Sequence, residues 1–464
     1  MLRSGLQGVS VATLIGISGL ACGIARGQDG QPVDAVTSAE MFELDGQPDL
    51  PGHERGARSP DEKKPAEAEP APAAEARDWF GGKAWFEWET MTGDWAGART
   101  KLADRGLEFG ASYTMDWGSV WSGGLKNRAS TIHMWDLNAT FDLEKLAGLK
   151  GGTIFADGYF TQVRGGSRDV GDWHGVSNID SGKNIGQLAE LWYEQWMLDD
   201  HLRLKVGKID GNAEFAFVNA AEETLNGSIA MPATAWDLPT FPNPATGVVL
   251  FVYPSARCYI GGGVFDGATA DGWDTGNRGP DQFFSNDRSD AWFFIMEAGF
   301  TWDQWGGMGG GRVALGAHLH TADFPQFDGS GDEDATGAYL LAEQQLWRKG
   351  ADEENAERGV FAFGLAGLGD SDVHEVEGQF ITGLMCRGCF DARPDDSFGV
   401  LASWLLLNED AGLDEDEVVV EALYKVQLTP WFGVTPDIQY VINPGGTSDV
   451  DNAVRGGARF ELIF

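Results

Sequence analysis

From Leu107 to Trp117 every second side chain is apolar. Leu107, Phe109, Ala111, Tyr113, Met115 and Trp117 share one face of an extended chain; Glu108, Gly110, Ser112, Thr114 and Asp116 share the other. A period of two held this long dictates a β-strand. A strand with a wholly apolar face must lie against something apolar. About nine to eleven tilted residues are also what a β-strand needs to cross a bilayer. The segment near 130–141 repeats the pattern, with His133, Trp135, Leu137, Ala139 and Phe141 on one side. Fourteen further strands are expected near 152–162, 187–198, 201–210, 247–253, 257–266, 291–302, 311–321, 336–346, 358–369, 378–389, 397–407, 417–428, 432–442 and 452–464. Two of these, 291–302 and 397–407, alternate poorly.

The expected fold class is therefore all-β: a transmembrane antiparallel barrel of about 16 strands with a short N-terminal periplasmic helix. Mean hydropathy is low, at −0.24, and no apolar run long enough for a membrane helix follows the N-terminus. Barrel strands hide from such averages because they alternate apolar-out and polar-in. The 18 Trp and 27 Phe suit aromatic girdles at the two interfaces. With both ends of the barrel in the periplasm, the connections 118–129, 163–186, 211–246 and 267–290 are long and extracellular. Asp199-Asp200, Pro254-Ser255-Ala256 and Thr429-Pro430-Trp431 are tight periplasmic turns, and 347–357 is a longer one. On the last strand Ala458, Phe460, Leu462 and Phe464 alternate with Arg459 and Glu461. A terminal Phe464 of this kind is the expected signal to the barrel-assembly machinery. A propeller would show a repeat of roughly 40–50 residues, and none is present.

Residues 1–27 read as a secretory signal: Arg3, then a mostly apolar Val9 to Ala21, with small residues at Ala25 and Gly27. Cys22 follows Gly19 rather than a Leu at the position three before it, which argues against lipidation. Residues 28–77 form a Pro/Ala/Glu-rich leader that cannot bury a core. It holds 12 acids and 5 bases, so most of the net charge of −38 belongs to the rest of the chain. That acidity argues against nucleic acid as a partner and against an anion-selective pore. Residues 78–106 are an N-terminal helical segment and 107–464 the barrel. Cys386-Arg-Gly-Cys389 is a local disulfide or a pair of free thiols, and Cys258 stands apart.

Four stretches resemble the carbohydrate-selective, OprB-type porins of bacterial outer membranes. The first is Thr92-Gly93-Asp94-Trp95-Ala96-Gly97-Ala98-Arg99 with Leu102 and Gly106. The second runs from Leu202-Arg203-Leu204-Lys205-Val206-Gly207-Lys208-Ile209-Asp210 to Glu214-Phe215-Ala216. The third is Arg393-Pro394-Asp395-Asp396. The fourth runs from Tyr424 through Thr429-Pro430-Trp431 to Pro436-Asp437-Ile438-Gln439-Tyr440-Val441-Ile442-Asn443-Pro444-Gly445-Gly446 and is the most specific. They occur in the family's order over about residues 85–464. The resemblance implies a sixteen-stranded barrel through which sugars diffuse across the outer membrane. The long acidic leader, the large loops and the Cys386/Cys389 pair depart from the family pattern.

A sugar pore needs polar and ionic groups on its wall, and binding weak enough to release the solute. Opposite the aromatic faces lie Arg203, Lys205, Glu421, Lys425, Asp437, Gln439, Arg455, Arg459 and Glu461. These are the candidates to line the channel and touch sugar; the alternative is that opposite charges satisfy each other across the inner wall. The 211–246 connection, with Trp236, Phe241 and Asn243, is the candidate constriction loop or else an outward surface loop. His318 and His320 share a face without an evident third metal ligand. No nucleophile elbow, HExxH or phosphate loop occurs. No enzyme activity, catalytic residue, metal or cofactor is expected. The expected partners are mono- or oligosaccharides and outer-membrane lipid, and the sequence leaves the oligomeric state open. The competing classes are an outer-membrane barrel enzyme and a secreted glycan-binding β-protein.

Overall fold

The computed structural model describes residues 83–235, 237–278, 289–350 and 357–464. The signal, the leader and Trp236 lie outside the described residues. Sixteen strands appear: β1 (Leu107–Ser122), β2 (Ala129–Asp142), β3 (Gly152–Arg164), β4 (Ile185–Met197), β5 (Leu202–Ile209), β6 (Ala245–Ser255), β7 (Cys258–Asp266), β8 (Trp292–Trp302), β9 (Gly311–Pro325), β10 (Asp332–Arg348), β11 (Gly359–Gly369), β12 (Val376–Arg387), β13 (Ser397–Leu407), β14 (Glu417–Thr429), β15 (Phe432–Ile442) and β16 (Ala453–Ile463). Each pairs antiparallel with its sequence neighbours. β1 pairs with β16 from Ser112↔Ile463 to Ser122↔Val454, so the sheet closes. Closure leaves no unpaired edge, which is the condition for spanning lipid with strands.

The alternation is realised residue by residue. Phe109, Trp117, Trp135 and Leu137 are exposed on the outer wall, whereas Asp116 on the inward side of β1 is buried. Strands β8 and β13 alternate in burial even though both of their faces are apolar. Trp292, Phe294 and Met296 face out while Phe293 and Ile295 are buried; Val400 and Trp404 face out while Leu401 and Leu405 are buried. The inward face is apolar because the barrel holds a core of its own. Phe215, Val218, Ile229 and Leu238 from the β5–β6 connection pack with Val249, Phe293, Leu341, Leu365 and Val419 of the wall. Full burial of a large apolar side chain contributes about 1.5–3 kcal/mol, and this offsets the entropy lost in ordering a long loop. The connection expected at 118–129 is shorter than its sequence suggests. β1 continues to Ser122 across a register shift, leaving only 123–128 between the strands.

Two short helices close the other end. Within the 78–106 segment expected to be helical, helix α1 spans Ala98–Ala103. Trp95 and Ala96 have φ of 48° and 58° and so sit outside the helix. Gly97 is its N-cap, and the Asp94 carboxylate accepts from the Thr100 N–H and hydroxyl in its first turn at 2.8 Å each. Gly106 ends the segment at φ 86°, a conformation that a Cβ disfavours. In α2 (Leu143–Ala147) the Asp142 carboxylate accepts from the Glu144 and Lys145 amides. The N-terminal segment clasps the end of β16. Met91 N–H donates to the Ile463 carbonyl at 2.7 Å and Arg99 to the Phe464 carbonyl at 2.7 Å. Trp85 packs on Trp431 with ring centroids 4.5 Å apart. Cys386 and Cys389 form a disulfide and Cys258 is free.

Candidate functional site: the lumen and its infolded loops

The lumen is shaped by two connections that turn inward and are held by side chains of the wall. Residues 210–244 are tied to five separate strands. Glu297 of β8 accepts from Ala216 N–H at 2.9 Å. Glu343 of β10 accepts from Ala220 N–H at 2.6 Å. Gln379 of β12 bonds to Ala233 N–H and donates to the Ser228 carbonyl at 2.8 Å. Glu421 of β14 accepts from the Leu225 and Asn226 amides at 3.1 and 3.2 Å. Gln439 of β15 accepts from the Asn226 side chain at 3.2 Å. Residues 165–184, which include the one-turn helix α3 (Ser167–Val170), are held likewise. Glu417 accepts from the Trp173 and His174 amides and from Gly445 N–H, and faces His174 Nδ1 at 2.6 Å. An infolded loop has backbone amides with no ladder to join. Wall carboxylates supply acceptors for them, as a buried polar group requires.

The sequence-derived candidates fall into three groups. Arg203 and Lys205 are buried, at 3% each, and both bond Glu214 of the infolded loop. Burial would raise the Glu214 carboxyl, but the Lys205 and Arg203 charges beside it hold it below the usual range. Glu421, Asp437, Gln439, Arg455 and Arg459 are also buried. Arg455 pairs with Asp437 at 3.1 Å. Arg459 forks onto Asp116 at 2.7 and 2.8 Å and reaches Asn178 at 2.6 Å. Lys425 and Glu461 differ: they are half-exposed and 3.8 Å apart at the short-turn end. In the loop, Phe241 packs on Tyr159 at 5.2 Å and its N–H donates to Asp210 at 3.0 Å. The Asn243 carbonyl accepts from Thr275 at 3.0 Å. His318 and His320 are buried beside Phe293, with ring centroids 5.5 and 5.8 Å from it.

An inward arc of aromatic rings on β3, β4 and β6, joined by Phe215 of the infolded loop, was not among the sequence candidates. Phe155 stacks on Trp192 at 4.9 Å, Trp196 on Tyr253 at 5.4 Å, and Phe215 on Phe251 at 5.2 Å. Lys205 Nζ sits 3.9 Å from the Trp192 ring centroid and the Arg203 guanidinium 4.7 Å from that of Phe251. Phe155, Trp192, Trp196 and Tyr253 keep partial exposure. Their faces, next to paired charges, offer the apolar and polar contacts that a pyranose presents on its two kinds of surface. Glu297 also escaped sequence reading. A lone acid inside the apolar Trp292–Trp302 run was its only signal; the structure surrounds it with the Tyr259 and Tyr339 hydroxyls at 2.7 and 2.8 Å.

The second and third sequence motifs are loop locks. Asp210 takes the Asn212 N–H at 2.9 Å, and Lys208 Nζ donates to the Leu188 and Gly276 carbonyls at 2.7 and 2.6 Å. Arg393 forks onto Asp396 at 2.8 Å twice, and Asp396 also accepts from the Tyr424 hydroxyl at 2.8 Å.

The model of the carbohydrate-selective porin, OprB family, matches residues 126–464. Porin B of Pseudomonas aeruginosa is 25% identical over 81% of this chain and 91% of its own length. The putative porin QuiX of Acinetobacter baylyi is 24% identical over 81% and 93%. Among solved structures, the high-pH form of Pseudomonas putida OprB superposes with a TM-score of 0.72 at 21% identity. It covers 82% of this chain and all of that one.

Proposed function

From the premise that this chain belongs to the OprB family of carbohydrate-selective porins, we propose how its lumen admits sugars. The protein is an outer-membrane β-barrel channel for carbohydrates. In this reading the long-loop end faces outward, as in such barrels generally. Uncharged sugars run down their gradient past residues 210–244, which set the bore. The observation that carries this is the anchoring of that loop to five wall strands by Glu297, Glu343, Gln379, Glu421 and Gln439.

The nine lumen candidates then divide by task. Glu421, Asp437, Gln439, Arg455 and Arg459 hold the infolded loops and the wall. Arg203 and Lys205, tied to Glu214, stand behind the aromatic arc and fix its charge, while the partly exposed rings of Phe155, Trp192, Trp196 and Tyr253 meet the passing sugar. Lys425 and Glu461 line the periplasmic exit. Mutual pairing of these charges keeps any single contact weak, which suits a solute that must leave again. Strand β16, with Phe460, Leu462 and Phe464 on its outer face, is the proposed contact for the barrel-assembly machinery. Self-association in the membrane is read by cross-linking of intact cells.

Liposome swelling tests the reading. Wild-type protein should admit monosaccharides faster than disaccharides, and deletion of 219–235 should abolish that size discrimination while raising single-channel conductance. Unchanged conductance and unchanged size discrimination would remove the loop from the pore.

A further inference from the structure

A cavity of 740 Å³ opens at the long-loop end, between the infolded loop and the barrel rim. It lies within the range of about 300–1,000 Å³ typical of small-molecule sites. Four segments contribute its walls: Asp237 and Asn243 from the infolded loop, Thr269 and Ala270 after β7, Phe324 and Phe327 from the end of β9 and the turn after it, and Glu375 from 370–375. These lie far apart in sequence and converge only through the closure of the barrel and the infolding of the loop.

The lining is built rather than incidental. The Phe324 ring is fixed by edge contacts to His320 at 5.3 Å and His374 at 5.5 Å. Phe327 N–H donates to the Asp372 carbonyl at 3.0 Å, which ties the main chain of the turn to the 370–375 segment. Thr269 and Thr275 share a hydrogen bond at 3.1 Å, and Thr275 donates to the Asn243 carbonyl at 3.0 Å, so two of the walls are coupled. Asp237 is buried beside His374, its carboxylate 3.3 Å from Nε2.

Two phenyl rings, two carboxylates, an amide and a hydroxyl are the groups that a pyranose asks for: an apolar surface for its C–H face and acceptors for its hydroxyls. Among the described residues the cavity lining contains no Lys or Arg. An acidic sugar would enter against the field of the Glu375 carboxylate. We infer that this cavity is an outer docking site for uncharged sugars, which holds the solute at the mouth before the constriction and turns away anionic ones. Burial, and then the neighbouring Glu375, push the Asp237 carboxyl up to about 7, so near neutrality it can donate to a sugar oxygen as well as accept. The inference rests on the sugar-porin reading and adds to it a site and a charge filter.

The test uses the whole protein in liposomes and follows labelled glucose and labelled glucuronate. Wild-type uptake of glucose should saturate, and glucuronate should enter far more slowly. Phe327→Ala should raise the half-saturating glucose concentration at least fivefold while leaving uptake at high glucose and sugar-free conductance unchanged. Glu375→Gln should narrow the glucose preference over glucuronate at least threefold. Heat-modifiable migration checks that each variant is folded. Both variants keeping the wild-type half-saturation and wild-type preference would overturn the docking site while leaving the porin intact. Wild-type liposomes taking up no more glucose than empty ones would instead overturn the porin reading, and the docking site with it.

Discussion

Glu421→Ala isolates the claim that wall carboxylates hold the bore-setting loop. Glu421 Oε1 is the acceptor for the Leu225 amide at 3.1 Å and the Asn226 amide at 3.2 Å, and all three residues are buried. Alanine leaves both amides without that partner. A buried donor left unsatisfied costs about 1–3 kcal/mol, so two cost about 2–6 kcal/mol against the docked loop. At about 1.4 kcal/mol per tenfold, the docked-to-undocked equilibrium constant of this stretch falls by roughly thirtyfold to ten-thousandfold or more. The whole loop does not leave, because the anchors at Glu297, Glu343 and Gln379 remain. Gln439 keeps its bonds to the Val176 carbonyl and to Asp437, both at 3.0 Å. The expected phenotype is local: larger single-channel conductance and more open-channel noise in planar bilayers, with an intact barrel by heat-modifiable migration. Glu421→Gln retains an acceptor oxygen in place and should behave close to wild type. Glu421→Ala matching wild type in conductance and noise, or Glu421→Gln matching Glu421→Ala, would refute the anchoring argument.

Other consequences follow from the same geometry. Arg99→Ala removes the 2.7 Å bond to the Phe464 carbonyl. Because Arg99 is partly exposed, the loss is about 1 kcal/mol, read as a lower temperature for the shift from folded to unfolded migration; an unchanged temperature would remove the clasp from the stability of the barrel seam. Burial, with the nearby Glu417 charge, pushes the Asp172 carboxyl up to about 8. An acid raised in the fold favours its neutral form, so the infolded 165–184 loop loses hold as pH climbs from the ordinary carboxylate range toward 8, and no further above it. Current noise should therefore grow from pH 5 to 8 and level off, and Asp172→Asn should flatten the curve; a wild-type-like rise in the variant would assign the effect elsewhere. The net charge of −38 predicts a weak cation preference, measured as the reversal potential in a salt gradient, and a strong anion preference would contradict it.

Much of this was legible in the sequence because lipid imposes one rule on every strand. Leu107 to Trp117 follows it without exception, and the sixteen strands lie near their expected ranges, including 291–302 and 397–407, where alternation is poor. The rule also explains its own failures. It reads polar residues as inward, but β8 and β13 turn Ile295 and Leu401 inward because a loop core meets them there. Strand periodicity carries no information about what fills a barrel. The candidate site was legible as a face and not as a set of tasks. Asp437, Gln439, Arg455 and Arg459 were found on the right wall, yet the partners Asp116, Asn178 and Asn226 lie 213 to 343 positions away. Only closure of β1 on β16 and the infolding of two loops bring them together. The aromatic arc was missed for a related reason: reading aromatics as lipid-facing is right for Trp117 and Trp135 but wrong for Trp192, which stacks on inward Phe155.

Titrating the conductance of single reconstituted barrels with neutral mono- and disaccharides, alongside an anionic sugar, tests the central claim most directly. A carbohydrate-selective lumen predicts a saturable fall in conductance with the neutral sugars, beyond the fall in bulk solution conductivity, and little saturable block by the anionic one. Conductance that only tracks the bulk solution for every sugar would contradict it.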